Sequence, residues 1–136
     1  MTTYAYPDVE TALYSALTGA SALTTLVSTR IYNPQAPANS TIPYVVFYLA
    51  SGLMPNQSPR LDINNVYRIE GVGSTRAQAE NVFKAIFTAL HLQTLSITGW
   101  GTYWLACEGV RSLVENAEGN QYYRRIGDFR LKADQS

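Results

Sequence analysis

Residues able to carry chemistry are few in this chain and lie far apart. The sequence has one histidine, His91, and one cysteine, Cys107, which cannot form a zinc site without several carboxylates at metal-ligand spacing. His91 follows the last apolar position of a predicted helix, so we expect its imidazole to interact with the C-terminal carbonyl groups of that helix. Cys107 lies in an apolar run, which is typical of a buried structural thiol. We therefore expect no metal ion and no catalysis by these two residues.

Two further kinds of site, a phosphate-binding loop and a group of acidic residues, have weak signals. Gly71-Val72-Gly73 precedes a predicted helix whose N-terminus would attract phosphate, but no lysine lies beside the glycines. Asp62, Glu70 and Glu108 could be neighbours in a sheet, yet nothing in their spacing brings them together. The chain also lacks P-loop, dinucleotide-binding and nucleophile-elbow motifs. We therefore predict a protein that is not an enzyme and that uses no cofactor.

Basic and aromatic residues are interleaved in YYRRIGDFRL, residues 122–131, as they are on some nucleic-acid-binding surfaces. Trp100, Trp104 and the ten tyrosines could likewise stack on single-stranded bases. However, ten basic and ten acidic residues give no net charge, whereas domains that bind duplex DNA are usually basic. Tyrosine and tryptophan are equally typical of protein–protein contacts. We favour a protein interface without sequence-specific nucleic-acid binding, and a small nucleic-acid-binding module stays open as an alternative.

Length and composition predict one domain over residues 1–136. Only 15% of the residues are charged, compared with the typical ~25%. Such a surface favours coverage by a partner, although abundant Ser, Thr, Asn and Gln could solvate it instead. No secretory signal is recognisable, and the longest apolar stretch, around residues 44–53, is too short to cross a bilayer. We expect synthesis in a cytoplasm and no membrane contact.

The N-terminal region predicts two helices and a brief extended piece. Pro7 and Asp8 open the first helix, with Asp8 as its N-cap, and Gly19 ends it. Ser21 is expected to cap a second, short helical turn, and residues 30–32 are extended. The first helix has one apolar stripe, formed by Val9, Ala12, Leu13, Ala16 and Leu17.

Two strands separated by polar loops follow. Residues 33–43 predict a long loop because they hold three of the six prolines. Residues 44–50 are β-branched or aromatic almost throughout, which predicts a strand buried on both faces and ended by Ser51-Gly52. Residues 54–60 form a second polar loop. Residues 66–72 alternate, so we expect a half-exposed strand.

The C-terminal half predicts a helix and a hairpin. Thr75 and Gln78 have the spacing of a capping box, and an apolar stripe places the helix at roughly residues 76–91. Residues 99–101 form a flexible or bulged corner. Residues 103–113 are a strand that turns near Gly119 and pairs with the strand over 122–131. We predict an α+β fold in which an antiparallel-dominated mixed β-sheet carries two main helices packed on one face.

Three segments taken in order, RIYNPQAPANSTIPYVVFYLASG, VYRIEGVGSTRAQAENVFKAIFTAL and YYRRIGDFRL, resemble the tail-completion or tail-terminator family of long-tailed bacteriophages. The resemblance spans nearly the whole chain. Gly71-Val72-Gly73, where a bulkier residue is expected, and the GWGTYW segment depart from the pattern. The matching residues are Arg30-Ile31-Tyr32, Pro43-Tyr44-Val45-Val46, Arg68-Ile69-Glu70, Ala77 with Ala79-Glu80, Tyr123-Arg124-Arg125 and Asp128-Phe129-Arg130.

The resemblance implies a structural virion protein without catalytic activity. Such a protein assembles with itself as a ring, commonly a hexamer, at the head-proximal end of the tail in the host cytoplasm. It contacts the tail-tube protein and a head-side connector protein, ends tail elongation and provides the head–tail joining surface. A head-closure or connector adaptor of the neck is the neighbouring alternative.

Candidate interface residues lie in the two predicted loops and on the last strand. On that strand we expect Phe129 and Leu131 to face the core. Asp128 shares the other face with arginines, which favours charge pairing over phosphate binding and leaves arginines available to adjacent subunits. For the loop residues, an ordinary solvent-exposed role stays equally open. The candidates are Asn33, Gln35, Asn39, Met54, Asn56, Gln57, Arg60, Arg124 and Arg130.

Overall fold

The computed structural model describes residues 4–54, 62–117 and 119–135. Three helices and six strands follow one another in these residues. In chain order they are α1 (Tyr6–Thr18), α2 (Ser21–Val27), β1 (Ile31–Tyr32), β2 (Tyr44–Leu53), β3 (Asp62–Gly73), α3 (Arg76–Leu90), β4 (Ser96–Ile97), β5 (Trp100–Ala117) and β6 (Asn120–Gln135).

The strands of the described residues form one sheet in the order β1-β2-β3-β6-β5-β4. β1 runs parallel to β2, and all the other neighbouring strands are antiparallel. The sheet curls into a half-barrel. The predicted antiparallel-dominated mixed sheet is therefore confirmed, and a third, shorter helix, α2, accompanies the two main helices.

The predicted starts of the first two helices are wrong at the capping residue. α1 begins at Tyr6, with Ala5 in the N-cap position, because Pro7 fits in the first helical turn where no backbone N–H is needed. Asp8 therefore lies inside the first turn. α2 exists as predicted, but Ser21 is its first helical residue. Ala20 is the N-cap, and its carbonyl already accepts the first N–H groups of the helix.

The capping box of α3 is confirmed with one change of partner. Thr75 is extended, and its Oγ1 accepts a hydrogen bond from the backbone N–H of Gln78 at 3.1 Å. The Gln78 Oε1 accepts from the backbone N–H of Ser74 at 2.8 Å, one residue earlier than in the standard motif. α3 ends at Leu90, one residue before the expected boundary.

One buried apolar cluster joins all three helices to the sheet. α1 and α2 contribute Leu13 and Leu23 among others, and α3 contributes the stripe that the sequence predicts. Phe47, Tyr67 and Phe129 are the largest fully buried side chains from the strands. The buried residues of the α3 stripe are Ala79, Val82, Phe83, Ile86 and Leu90.

Close contact between α3 and the sheet explains the glycines at the end of β3 and in the middle of β6. A Cβ atom at Gly73 would lie 2.7 Å from the backbone nitrogen of Ala79. One at Gly127 would lie 2.6 Å from the ring of Phe83. The Gly71-Val72-Gly73 stretch thus permits the helix to approach the strand, which accounts for its glycines without a phosphate ligand.

β2 and β3 differ from their predicted bounds and burial. β2 continues past Ser51-Gly52 to Leu53, with a bulge between Leu49 and Ser51, so the expected end of this strand is wrong. Only its first half is buried; residues 50–53 are exposed. β3 is longer than expected. Its Tyr67 and Ile69 are buried as the alternation predicts, but Glu70 is buried as well.

The C-terminal hairpin is confirmed, and it is longer than predicted. β5 begins at Trp100 and pairs with β6 up to Ala117↔Asn120, across a two-residue turn in which Gly119 has a φ of 82°. A second tight turn at Thr98-Gly99 joins β4 to β5, and its glycine has a φ of 80°. No helix in the described parts of the chain is long and apolar enough to span a membrane.

Candidate interaction surface

The histidine and the cysteine are in contact through the cysteine backbone, and they do not form a catalytic pair. The Cys107 backbone N–H donates a hydrogen bond to His91 Nδ1 at 3.1 Å, and the imidazole stacks on Phe87. The His91 imidazole therefore accepts a hydrogen bond from the backbone of β5. The prediction that it interacts with helix carbonyls is wrong. Burial raises the pKa of the Cys107 thiol, which is the opposite of what an activated nucleophile needs.

The three carboxylates that could have been neighbours do not form one group. Glu70 and Glu108 pair with different arginines of β6, Arg124 and Arg130, and Asp62 is at the start of β3. Among the described residues, no group of three or more His, Cys, Asp or Glu side chains could hold a metal ion. The acidic residues thus provide ion pairs rather than a ligand set.

Ion pairs cross the sheet on the face that carries the even-numbered residues of β2, β3 and β6, here called the charged face. Arg68 Nε lies 3.0 Å from Asp128 Oδ1 on the adjacent strand, and these two residues are direct partners in the ladder. Arg111 of β5 approaches the same carboxylate oxygen at 3.8 Å. Asp128 is thus paired with arginines, as the sequence indicates, although both arginines come from neighbouring strands.

The most buried ion pair of the charged face is centred on Arg124. Its NH1 lies 2.9 Å from Glu70 Oε1, and its Nε lies 2.6 Å from Glu115 Oε1, an ion pair without the alignment of a hydrogen bond. The Tyr48 hydroxyl donates to the other oxygen of Glu70 at 2.9 Å. The Glu70 side chain is only 9% exposed, so Arg124 compensates a nearly buried charge.

The loop between β1 and β2 covers a second, smaller apolar cluster beside these ion pairs. Tyr44, Val46 and Val72 form its buried part. The loop is attached where Arg30 Nε donates to the carbonyl oxygen of Pro43 at 2.9 Å. A cavity of about 360 Å³ remains between the loop and the side chain of Arg124. The loop is therefore packed on the sheet at its ends, while its central residues stay at the surface.

Comparison with known proteins now decides the family. Residues 11–133 match the family of tail completion protein gp17. The chain belongs to this family. The resemblance seen in the sequence is thereby confirmed, and the chain is a structural, non-enzymatic component of a virion tail.

Solved structures show the same fold. A chain of the virion of a native gene transfer agent particle matches with a TM-score of 0.77 at 18% sequence identity. The match covers 98% of the tail completion chain and 99% of the other chain, so the whole fold is shared. No curated protein matches the chain at a significant level.

The structure places the described candidate interface residues of this tail completion protein in separate regions. Gln35, Asn39 and Arg124 line the same cavity beside the charged face, and Asn33 is exposed on the same loop. Arg130 lies toward the other end of the sheet, where it pairs with Glu108 and with Asn64.

The last candidates lie at or beyond the end of β2. Met54 directly follows this strand and is 47% exposed. Asn56, Gln57 and Arg60 lie outside the described residues. Arg124 and Arg130 are paired within the chain, and the interface role of all nine candidates stays a prediction.

One surface of the tail completion protein was not anticipated from the sequence. Val110, Leu113 and Val114 of β5 are each about half exposed, although residues 103–113 predict an ordinary strand. The sequence does contain one sign of this exposure, because the charged residues Glu108 and Arg111 are interleaved with these apolar residues. Such interleaving is expected of a strand at the edge of a sheet rather than in its middle.

Proposed function

We propose that this tail completion protein forms a ring, of six copies, at the head-proximal end of the tail. The ring caps the tail tube, ends its elongation and presents the joining surface to the head-side connector protein. The observation that carries the proposal is the family match over residues 11–133. The shared fold with a chain of a gene transfer agent virion supports a place in an assembled particle.

The distribution of apolar and charged residues also supports assembly by contact between proteins. The helices contribute their apolar stripes to one cluster with the sheet. We include in the proposal that the two main helices, α1 and α3, pack on a single face of the sheet. The charged face and the edges of the sheet then remain for neighbouring proteins, with assembly in the host cytoplasm.

Electron microscopy of tails assembled with and without this protein tests the proposal. We expect tubes of irregular, extended length when the protein is absent, because nothing then stops the addition of tube subunits. Adding the purified chain during assembly should restore a uniform length. Tubes of normal, regulated length in its absence would contradict a role in termination.

A head-closure or connector adaptor of the neck is the nearest alternative function. The two functions differ in the protein that the chain binds first. A pull-down with the tail-tube protein encoded in the same genome, compared with the portal-side protein, separates them. Retention by the tube protein is expected, and retention by the portal-side protein alone would favour the adaptor.

A nucleic-acid-binding module is the alternative from another class. Arg68, Arg124 and Arg130 each pair with a carboxylate of the same chain, so their charge is already neutralised. We therefore expect no retention of a labelled oligonucleotide at low salt. Strong binding that weakens steeply as salt is added would favour this alternative instead.

A further inference from the structure

The outer edge of β5 is covered in its first half and uncovered in its second half. β4 pairs with Trp100 and Gly101. The Leu92 N–H donates to the Leu105 carbonyl oxygen at 2.7 Å, and His91 accepts from the Cys107 N–H. Within the described residues, the backbone over 108–117 pairs only with β6. Its outward N–H and C=O groups are therefore available to another strand.

Side chains along this uncovered half suit a protein partner. Val110 and Val114 are each 51% exposed, and Leu113 is 46% exposed. The charged residues of the same stretch form ion pairs with side chains of β6. Exposed edges in monomeric proteins usually carry unpaired charges or prolines that prevent strand pairing. The charged side chains with partners on β6 are Glu108 with Arg130, Arg111 with Asp128, and Glu115 with Arg124.

The opposite edge of the sheet also has an uncovered stretch, which lies nearer the other end of the sheet, because the strand ladders place Phe47 level with Val110 and Leu53 level with Trp104. β1 pairs with β2 only at Val45 and Val46, so residues 47–53 have no outer partner among the described strands. Residues 44–54 contain no charged residue at all. Leu53 is 56% exposed at the end of this strand. The β2 edge is thus free of the charges that normally keep two edges apart, and the charges of the β5 edge are paired with β6.

Strand direction makes these two edges compatible with each other. β2, β3, β6 and β5 are neighbours in that order, and each pair is antiparallel. β5 therefore runs opposite to β2. When one copy is placed beside another without being turned over, and is shifted along the strands, the uncovered part of β5 in the first meets the uncovered part of β2 in the second in antiparallel orientation. A contact of this head-to-tail kind closes a ring when the rotation from one copy to the next divides a full turn.

We propose that residues 108–117 of β5 in one copy pair antiparallel with residues 47–53 of β2 in a second copy. Backbone hydrogen bonds extend the sheet across the subunit boundary, and the exposed valines and leucines on both edges contact each other. The inference rests on the proposed ring and names the surface by which the ring closes. The partner is a second copy of this chain because the chain itself carries both edges.

Cross-linking of single-cysteine chains tests which edges meet. In a Cys107→Ser background, Val114→Cys places a thiol on the β5 edge and Ser51→Cys places one on the β2 edge. A flexible bis-maleimide, which tolerates small differences in strand register, should join these chains into dimers only when the two variants are mixed. A chain with both cysteines should give a ladder of linked copies.

Different cross-linking results would overturn edge pairing. Dimers from Val114→Cys alone would show that like edges meet, in a two-fold contact. Rings visible by electron microscopy but without any cross-link in the mixture would also exclude the proposed contact.

Charged substitutions on the edge give a second test that does not depend on register. Val110→Lys with Val114→Lys should abolish rings in sedimentation and electron microscopy while leaving the melting temperature nearly unchanged. Leu26→Lys, at a 37% exposed leucine of α2, is the matched control and should assemble normally.

The result of the edge test is independent of the test of tail termination. If the double variant assembles as well as the control, edge pairing is wrong and the ring proposal is unaffected. If tails reach regulated length without the chain, termination itself is wrong.

Discussion

Arg124 is the residue at which the charged face is most sensitive to substitution. Replacing it with methionine keeps the side-chain volume but leaves the nearly buried Glu70 without its cation. Because an uncompensated buried charge is strongly destabilising, we expect Arg124→Met to lower the free energy of unfolding by about 3 kcal/mol. Urea denaturation measures the change. Adding Glu70→Gln should recover more than half of it.

Arg130 provides the matched control for this prediction. It pairs with Glu108, whose side chain is 45% exposed, so water compensates the charge when the pair is broken. We expect Arg130→Met to change the free energy of unfolding by about 1 kcal/mol or less. Equal losses for the Arg124 and Arg130 variants would contradict the assignment of the buried pair.

Buried tyrosines predict how stability depends on alkaline pH. Burial raises the pKa of Tyr67 well above its ordinary value, and it raises those of Tyr44 and Tyr48 as well. The folded state therefore favours the neutral phenols. Their contribution is complete below the unfolded tyrosine pKa of about 10 and is lost as the pH rises through the higher folded values.

The expected result is a urea midpoint that is steady around neutral pH and falls above about pH 10. Tyr67→Phe removes one of the titrating groups, so its midpoint should fall less steeply in this range. The variant also loses the hydrogen bond that Tyr67 accepts from Asn65, which lowers its stability at all pH values. Parallel pH profiles for the two proteins would show that Tyr67 does not contribute.

At the scale of elements, the contact between α3 and the sheet depends on Gly127. A Cβ atom there would lie 2.6 Å from the Phe83 ring and 2.9 Å from the Phe129 ring. We therefore expect Gly127→Ala to lower the free energy of unfolding by about 1–3 kcal/mol, as overpacking of a core does. Gly109→Ala in β5 is the control, since a Cβ at that position meets no atom within 4 Å. Thermal unfolding of the two variants should separate them clearly.

Local sequence signals predicted an element well where all the residues that determine it lie within one segment. The stripe and capping box of α3 need only neighbouring residues, and both were confirmed. The hairpin of β5 and β6 needs only a turn between two strands, and it was confirmed as well. Properties that depend on distant residues were missed. β2 runs past Ser51-Gly52 because β3 pairs with it as far as Leu53↔Asn64.

The candidate surface shows the same division. The alternation along β6 predicts that Asp128 pairs with arginines, but it does not predict that these are Arg68 and Arg111 of the neighbouring strands. The burial of Glu70 could not be predicted, because it depends on Tyr48 and Arg124 from two other strands. The exposure of Val110, Leu113 and Val114 depends on β5 being at an edge, which only the order of strands in the sheet reveals.

At the scale of the whole molecule, the end of β2 is expected to contribute to attachment to the tail tube. Met54 is 47% exposed, so its removal should have little effect on folding. We expect Met54→Ala combined with Arg60→Ala to weaken co-sedimentation with purified tail tubes while the melting temperature stays nearly constant. A large fall in melting temperature would instead assign these residues a structural role.

The position of β6 in the sheet has a consequence for the timing of synthesis. β6 follows β3 and β5 along the chain, yet it lies between them and pairs with both over nearly its full length. A nascent chain therefore holds the two parts of the sheet unjoined until β6 has left the ribosome. The pairing of β5 with β6 cannot form before that moment, so nascent chains that have not yet exposed β6 have no finished edge to offer one another.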